Sequence, residues 1–492
     1  MTLLGAAWFL FAEREIAGAW GFSLDDAWIY ATYAKNLATG KGYVFNAGEH
    51  VAGATGPLYV LLLTLFHLIF RDVVLPAKAL GIICLAASGV VVFHSVRHVL
   101  PRSKVAPFVA GVLVAGSPLL LWGAVSGMEI PVYLLLTCLG IYFYVQERWT
   151  PAVLCWSLGV WLRPDGLFLA LLGLLVRPNV TPRNSIAPSL AFTFTVGTYL
   201  IFNQVVGGWI LPSSVRVLAQ PGGNFAAGRW TIAKQCADLW LGSVGVRPVS
   251  YHAAFLLPAL IAGAILVLRR WPALVVYFVL FPVLLAASLP WAGQFDRYIV
   301  YTVPFGIILG VIGLERATER ALGRRATAGL LVLGAIGLIW QGVAIRKVGT
   351  SHGWNVQNIE GMQRFIADKT RAATSPGDTI AVNDVGAMGY FSDCYVVDLM
   401  GLVSPKLPFP ENLRRYRPKY MIVFPDWFKK FATIDWRTNQ VIFYDADSTY
   451  KYSPFLAVRL RKNTISARNT MYLYERLGRN ETGASNVPMI VH

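Results

Sequence analysis

The chain has 492 residues, of which 55% are hydrophobic and only 14% charged, with a formal net charge of +17. Soluble domains carry about 25% charged residues, so this composition excludes a wholly soluble protein and points to one largely dissolved in lipid. The basic residues are scattered through short loops and the tail, with no basic stripe interleaved with aromatics, so no nucleic-acid partner is expected.

The first apolar segment is interrupted by Glu13, Arg14 and Glu15. A segment expected to be the first external loop, with interfacial helices, follows over 22–73 and opens on adjacent carboxylates, Asp25 and Asp26. After them Trp28, Ile29, Tyr33 and Leu37 recur at helical spacing, with Lys35 and Asn36 off that face. The pattern predicts an amphipathic helix resting on the bilayer and ended by Gly40 and Gly42. The apolar run 57–70 has 14 residues, about 21 Å as a helix, and is expected to lie along the membrane surface. A span needs about 20 apolar residues; the segments 74–96, 105–125, 130–146, 186–206, 253–268, 271–290, 298–314 and 327–345 qualify. The run 150–176 is broken by "RPDG" (163–166) and predicts two half-length passes, 150–162 and 166–176.

Charge then orients the helices. With 57–70 kept out of the count, one face collects the basic loops 97–104, 146–149, 177–183, 269–270 and 315–325, as the positive-inside rule asks of the cytoplasmic side. The fold class expected is a polytopic α-helical membrane protein of about eleven passes, with its N-terminus inside. Residues 1–347 form the transmembrane domain and 348–492 a small extracytoplasmic α/β domain. The outer face then receives 22–73, the turn at Glu129, the Arg163–Asp165 turn, the long loop 207–252 and the tail. Charges in a turn between half-helices are costly unless the turn lines a wet cavity.

The tail alternates strand-like pieces ("DTIAVN", "YVVDL", "YMIVF", "FLAVRL", "MYLYERL") with helical ones ("NIEGMQRFIADKT", "ENLRRY"). Its Asp384, Asp393 and Asp398 read as turn and strand-end residues. The five cysteines (Cys84, Cys138, Cys155, Cys236 and Cys394) lack metal-ligand spacing, and no disulfide framework is expected. No cofactor is expected, and the ligand spacing does not indicate a divalent cation.

Each charged candidate has two roles open to it. A carboxylate beside another at a low-dielectric border has its pKa raised and becomes a usable general base, yet Asp25 or Asp26 also suits a helix N-cap. Glu129 is equally placed to cap the helix starting at Ile130. Lys78 reads as a snorkelling lysine, Lys41 as a solvated turn residue, and Arg163 with Asp165 as a tight turn holding its own ion pair.

The stretch "LDDAWIYATYAKNLATGKGYVFNAGEHVAGATGPLYVLLL" resembles the first external loop of bacterial GT-C glycosyltransferases. "SGMEIPVYLLL" (126–136), "LRPDGLFLALL" (162–172) and "VNDVGAMGYFSDCYVVDLMGLVSP" (382–405) resemble the same class. It includes lipid A aminoarabinose transferases, protein O-mannosyltransferases of the family 39 type, and mycobacterial arabinofuranosyltransferases. The resemblance implies a glycosyltransferase that moves a sugar from a polyprenyl-phosphate donor. The acceptor would be an envelope glycan, lipid or protein at the outer face of the cell membrane. It implies inversion, with Asp26 as base, Asp25 in support and Glu129 as the carboxylate after the third span. Aminoarabinose transferases have a lysine where this chain has Thr55, so Arg163, Lys78 or Lys41 is expected to neutralise the donor phosphate, with Asp165 beside Arg163 in the site. "ILPSS" (210–214) is a candidate acceptor contact. The rival readings are a transporter or flippase of lipid-linked sugars and a non-catalytic envelope assembly protein.

Overall fold

A computed structural model describes residues 1–218, 225–240, 256–288, 294–435 and 437–492. Much of the expected 207–252 loop, the first residues of the expected 253–268 span and the last of 271–290 lie outside the described residues.

The chain opens with α1 (Thr2–Ala17), then α2 (Asp25–Ala38), α3 (Pro57–Phe70), α4 (Val74–Val99), α5 (Ala106–Ala115), α6 (Pro118–Val125) and α7 (Ile130–Val145). The expected single span over 105–125 is instead α5 and α6, bent by 45°. Gly116 and Ser117 break the helix, and Pro118, with no N–H to give, starts the next one. The "RPDG" interruption does split its run, into α8 (Trp149–Gly159) and α9 (Gly166–Leu175). Next come α10 (Pro182–Gly207), α11 (Ser213–Leu218), α12 (Phe225–Trp240), α13 (Leu256–Val267), α14 (Pro272–Ser288), α15 (Val303–Leu322) and α16 (Ala326–Asn358).

Among the described residues three helical stretches are long and apolar enough to cross a membrane, or four if α5 and α6 count as one. Five shorter apolar helices, α3 among them, accompany these. Large apolar side chains stand exposed along them, including Ile83 on α4, Phe194 and Val205 on α10, and Ile339 on α16. An apolar surface of that kind marks the lipid-facing side of a membrane protein. Small residues allow close crossings. Between α13 and α15, a Cβ at Gly263 or Gly313 would collide with the partner backbone at Leu309 or Ala259.

Helix α2 departs from the surface helix expected of its sequence. Ala27 to Ala34 are all buried, with α3 on one side and the C-terminal domain on the other. The Trp28 ring lies 4.7, 4.9 and 4.6 Å from those of Phe22, Tyr390 and Phe391. An apolar stripe that suits lipid suits a protein partner equally, and here a folded domain covers it.

No linker separates the bundle from that domain. Helix α16 runs through residue 348, widens into π-type turns at Ile359–Arg364, and continues as α17 (Phe365–Ala373). The domain then alternates β1 (Thr379–Val382), α18 (Gly386–Phe391), β2 (Tyr395–Asp398), α19 (Phe409–Tyr416) and β3 (Tyr420–Val423). The strands β4 (Ala432–Asp435), β5 (Gln440–Tyr444), β6 (Tyr450–Arg459), β7 (Thr470–Gly478) and β8 (Met489–Val491) complete one mixed sheet, ordered β2-β1-β3-β7-β6-β5-β4, with β8 on β6. The first three positions are parallel and the rest of that path antiparallel. The five strand-like pieces of the tail became β1, β2, β3, β6 and β7; β4 (ATID), β5 (QVIFY) and the three-residue β8 (MIV) were passed over, although β5 and β8 are apolar.

Candidate functional site

The acidic pair begins α2, yet neither carboxylate caps it. Asp25 reaches across the domain boundary instead. Its oxygens accept the backbone N–H groups of Gly386 (2.7 Å) and Ala387 (2.9 Å), the first turn of α18. Only glycine fits at 386, because a Cβ there would collide with the Asp25 carbonyl. Burial, and then the charge of Asp384, push the Asp25 carboxyl above its ordinary range, while the two N–H donors pull it back. Asp384 is also pushed up by burial, against a hydrogen bond from Gln363 (3.0 Å). Read in the sequence as a turn residue, Asp384 thus belongs to the same cluster. Asp393 and Asp398 do not. The first pairs with Lys35 and Arg371, and the second folds its own turn by accepting N–H groups from Met400, Leu402 and Val403.

Asp26 faces the other way. Its carboxylate lies 2.7 Å from Nη1 of Arg297, with the Asp26 side chain 43% exposed and that of Arg297 only 6%. The Arg297 Nε is buried and meets no acceptor among the described residues. Just before Arg297, Phe295 and Asp296 both adopt left-handed φ angles of 53° and 54°. For non-glycine residues such geometry costs about 1–3 kcal/mol each and persists only where surroundings enforce it. Here the Phe295 ring stacks on Trp122, 4.7 Å away and 6° from parallel.

One aromatic ring joins this pair to the second charged group. The guanidinium of Arg297 lies 5.3 Å from the Tyr298 ring and that of Arg163 lies 5.4 Å from it. Arg163 is fully engaged. It donates to Glu129 (2.8 Å), to both oxygens of Asp165 (2.8 to 3.3 Å), and rests 4.9 Å from the Tyr301 ring. Glu129 makes no cap hydrogen bond to the helix it precedes. Tyr30, one turn along α2 from Asp26, feels the Glu129 charge and shares a 2.5 Å hydrogen bond with Thr55. Burial first, and that charge second, hold the Tyr30 phenol well above its ordinary value.

The structure therefore gathers Asp25, Asp26, Glu129, Arg163 and Asp165 at one end of the bundle, with Asp384. Lys78 is elsewhere. It is enclosed between Glu13 (2.7 Å) and the Val125 carbonyl (3.1 Å), and Glu13 also binds His352 (2.9 Å). Lys41 is exposed in the turn after α2. Ser213 of "ILPSS" holds the carbonyls of Ala52 and Leu402. Sequence reasoning passed over Arg297, although it is the lone basic residue between Arg270 and Arg316. No group of three or more His, Cys, Asp or Glu side chains is arranged to hold a metal among the described residues.

The C-terminal domain, over 348–474, matches a family described as "Domain of unknown function (DUF8728)". No curated protein matches the sequence. Among solved structures, ArnT from Cupriavidus metallidurans in the apo state aligns at TM-score 0.59 and 11% identity, covering 87% of this chain and 94% of that one. The same protein bound to undecaprenyl phosphate aligns at 0.58 and 11%, covering 96% and 97%. The mycobacterial arabinofuranosyltransferase AftD aligns at 0.43 and 14%, covering 96% of this chain and 41% of that one.

Proposed function

We propose that this chain, which has the GT-C fold of ArnT, is a membrane glycosyltransferase. It transfers a monosaccharide from a polyprenyl-phosphate donor to a hydroxyl of an envelope glycan, lipid or protein. The ArnT structure with undecaprenyl phosphate supports a donor of this class. The orientation that goes with this reading has about eleven passes, the N-terminus inside, and Asp26 and residues 348–492 on the extracytoplasmic face.

The observation that carries the proposal is the Asp26–Arg297 pair, a half-exposed carboxylate against a buried guanidinium with a free Nε. In this mechanism Asp26 accepts the proton of the acceptor hydroxyl as its oxygen attacks the anomeric carbon. The bond from that carbon to the phosphate oxygen breaks, and the polyprenyl phosphate departs with the electron pair. Arg297 neutralises the phosphate by charge-assisted hydrogen bonds, and Asp26 holds that guanidinium until the donor arrives. One displacement without a covalent intermediate inverts the anomeric centre. Arg163, satisfied by Glu129 and Asp165, positions Tyr298 and Tyr301 rather than meeting the phosphate. Asp25 fixes the start of α2 by anchoring it to α18.

The test is Asp26→Asn, assayed as transfer from purified undecaprenyl-phosphate sugar to envelope acceptors. Loss of a general base costs about 10²- to 10⁴-fold in rate, with undecaprenyl phosphate still bound. Undiminished transfer by this variant would remove Asp26 from the reaction.

A further inference from the structure

Away from the carboxylates, a cavity of about 810 Å³ opens on the sheet of the C-terminal domain. That volume is within the range of small-molecule sites, about 300–1,000 Å³. Tyr472 and Tyr474, on one face of β7 with rings 6.1 Å apart, contribute to it, and Asn439, Gln440, Asn463 and Asn469 line it. Its ionic groups are already matched, since Arg468 pairs with Asp426 at 3.4 Å. Gln440 donates to the carbonyls of Ala484 (3.0 Å) and Ser485 (3.4 Å), while its Oε1 is buried with no partner. A buried acceptor of this kind is satisfied only by a donor from outside. Amide groups donate and accept in close succession, as a hydroxyl does, and the half-buried Tyr472 ring, backed by the fully buried Tyr474, suits the C–H face of a pyranose or furanose. The lining therefore selects an uncharged, polyhydroxylated ligand.

The cavity is also tied to the carboxylate cluster by two routes. Phe424 in its wall donates its N–H to the Asn383 side chain (3.2 Å), next to Asp384. Gln363 bridges Asp384 (3.0 Å) and Ser466 (3.3 Å), and Ser466 sits in the β6–β7 turn that supplies Asn463 and Asn469. We propose that this cavity binds a neutral saccharide portion of the acceptor and holds it beside Asp26. The assignment rests on the transferase reading for the word acceptor, but the ligand class follows from the cavity alone.

Both parts are tested on the full chain in nanodiscs. Ligand-observed NMR is recorded with neutral gluco-, manno-, galacto- and arabino-configured hexasaccharides, a sulfated hexasaccharide, and separately with undecaprenyl phosphate. At least one neutral hexasaccharide is expected to bind. Gln440→Ala with Asn469→Ala should weaken it about tenfold, the effect of two neutral hydrogen bonds. Ala467→Trp, which fills the cavity and removes no hydrogen bond, should abolish it. Both variants should keep undecaprenyl phosphate binding and raise the acceptor KM without changing the donor KM. No binding of any neutral hexasaccharide, preference for the sulfated one, or unchanged binding in Ala467→Trp overturns the inference. Saccharide binding without undecaprenyl phosphate binding upholds the cavity's ligand class and removes the transferase reading instead.

Discussion

Lys78 and Arg297 are both buried cations paired with a carboxylate, and they differ in what is left over. Lys78 is enclosed, 1% exposed, with Glu13 and a carbonyl as acceptors, and Glu13 is itself shared with His352 and the N–H of Gly21. Arg297 is as deeply buried, but its carboxylate partner opens to the outside and one of its donors is unused. A closed set of ion pairs ties helices together. An open one, held at the cost of burying a charge, leaves a donor free for a further acceptor.

Breaking the closed set gives the largest effect on the protein itself. Lys78→Met leaves the buried Glu13 carboxylate with only His352 and the Gly21 N–H, and removal of one partner of a buried pair costs about 3–5 kcal/mol. Thermal unfolding should show this loss, and Glu13→Leu added to Lys78→Met should recover most of it, since no orphan charge remains. Equal stability of the single and double variants would show the triad to be less closed than its geometry.

The open pair should respond in the opposite way. Arg297→Gln is expected to leave the unfolding temperature nearly unchanged and to raise the donor KM about 10- to 100-fold, the worth of a hydrogen bond to a charged group. A large stability loss with an unaltered donor KM would place Arg297 with Lys78.

The smallest effect belongs to Asp25. Its carboxyl is raised in the folded protein by burial and by Asp384, so it holds its proton more tightly folded than unfolded. Its stabilising contribution is whole below the ordinary carboxylate range and is lost as pH rises through the folded value. Wild-type stability should therefore fall from acid toward neutral pH more steeply than that of Asp25→Asn. Transfer in Asp25→Asn should fall far less than in Asp26→Asn. A slope identical in both proteins would mean that Asp25 titrates normally.

The half-helices at "RPDG" and the main strands of the tail could be read from the sequence because periodicity and run length are local properties. The convergence of Asp26, Glu129 and Arg163 was readable too, through the sidedness of basic loops. What escaped were partners chosen by the tertiary fold. Asp25 meets Gly386 across 361 residues, and Lys78 meets Glu13 across 65. The amphipathic stripe of α2 carried no mark of whether lipid or protein would cover it. Arg297 was legible only as the lone basic residue in the long interval from Arg270 to Arg316.

The uninterrupted α16 fixes a height. Its 33 residues make a rod of about 50 Å, against a hydrocarbon core of about 30 Å, which leaves roughly 20 Å of rod beyond the lipid. The end away from Arg324 and Arg325 packs along α1 at Gly349 and Gly353, and α17 and the sheet follow it without a joint. The domain is thus carried on a continuous helix rather than a tether, and the length of that helix sets where the sheet stands relative to the bundle. In the reaction proposed above, the length of that rod sets which acceptors come within reach of Asp26.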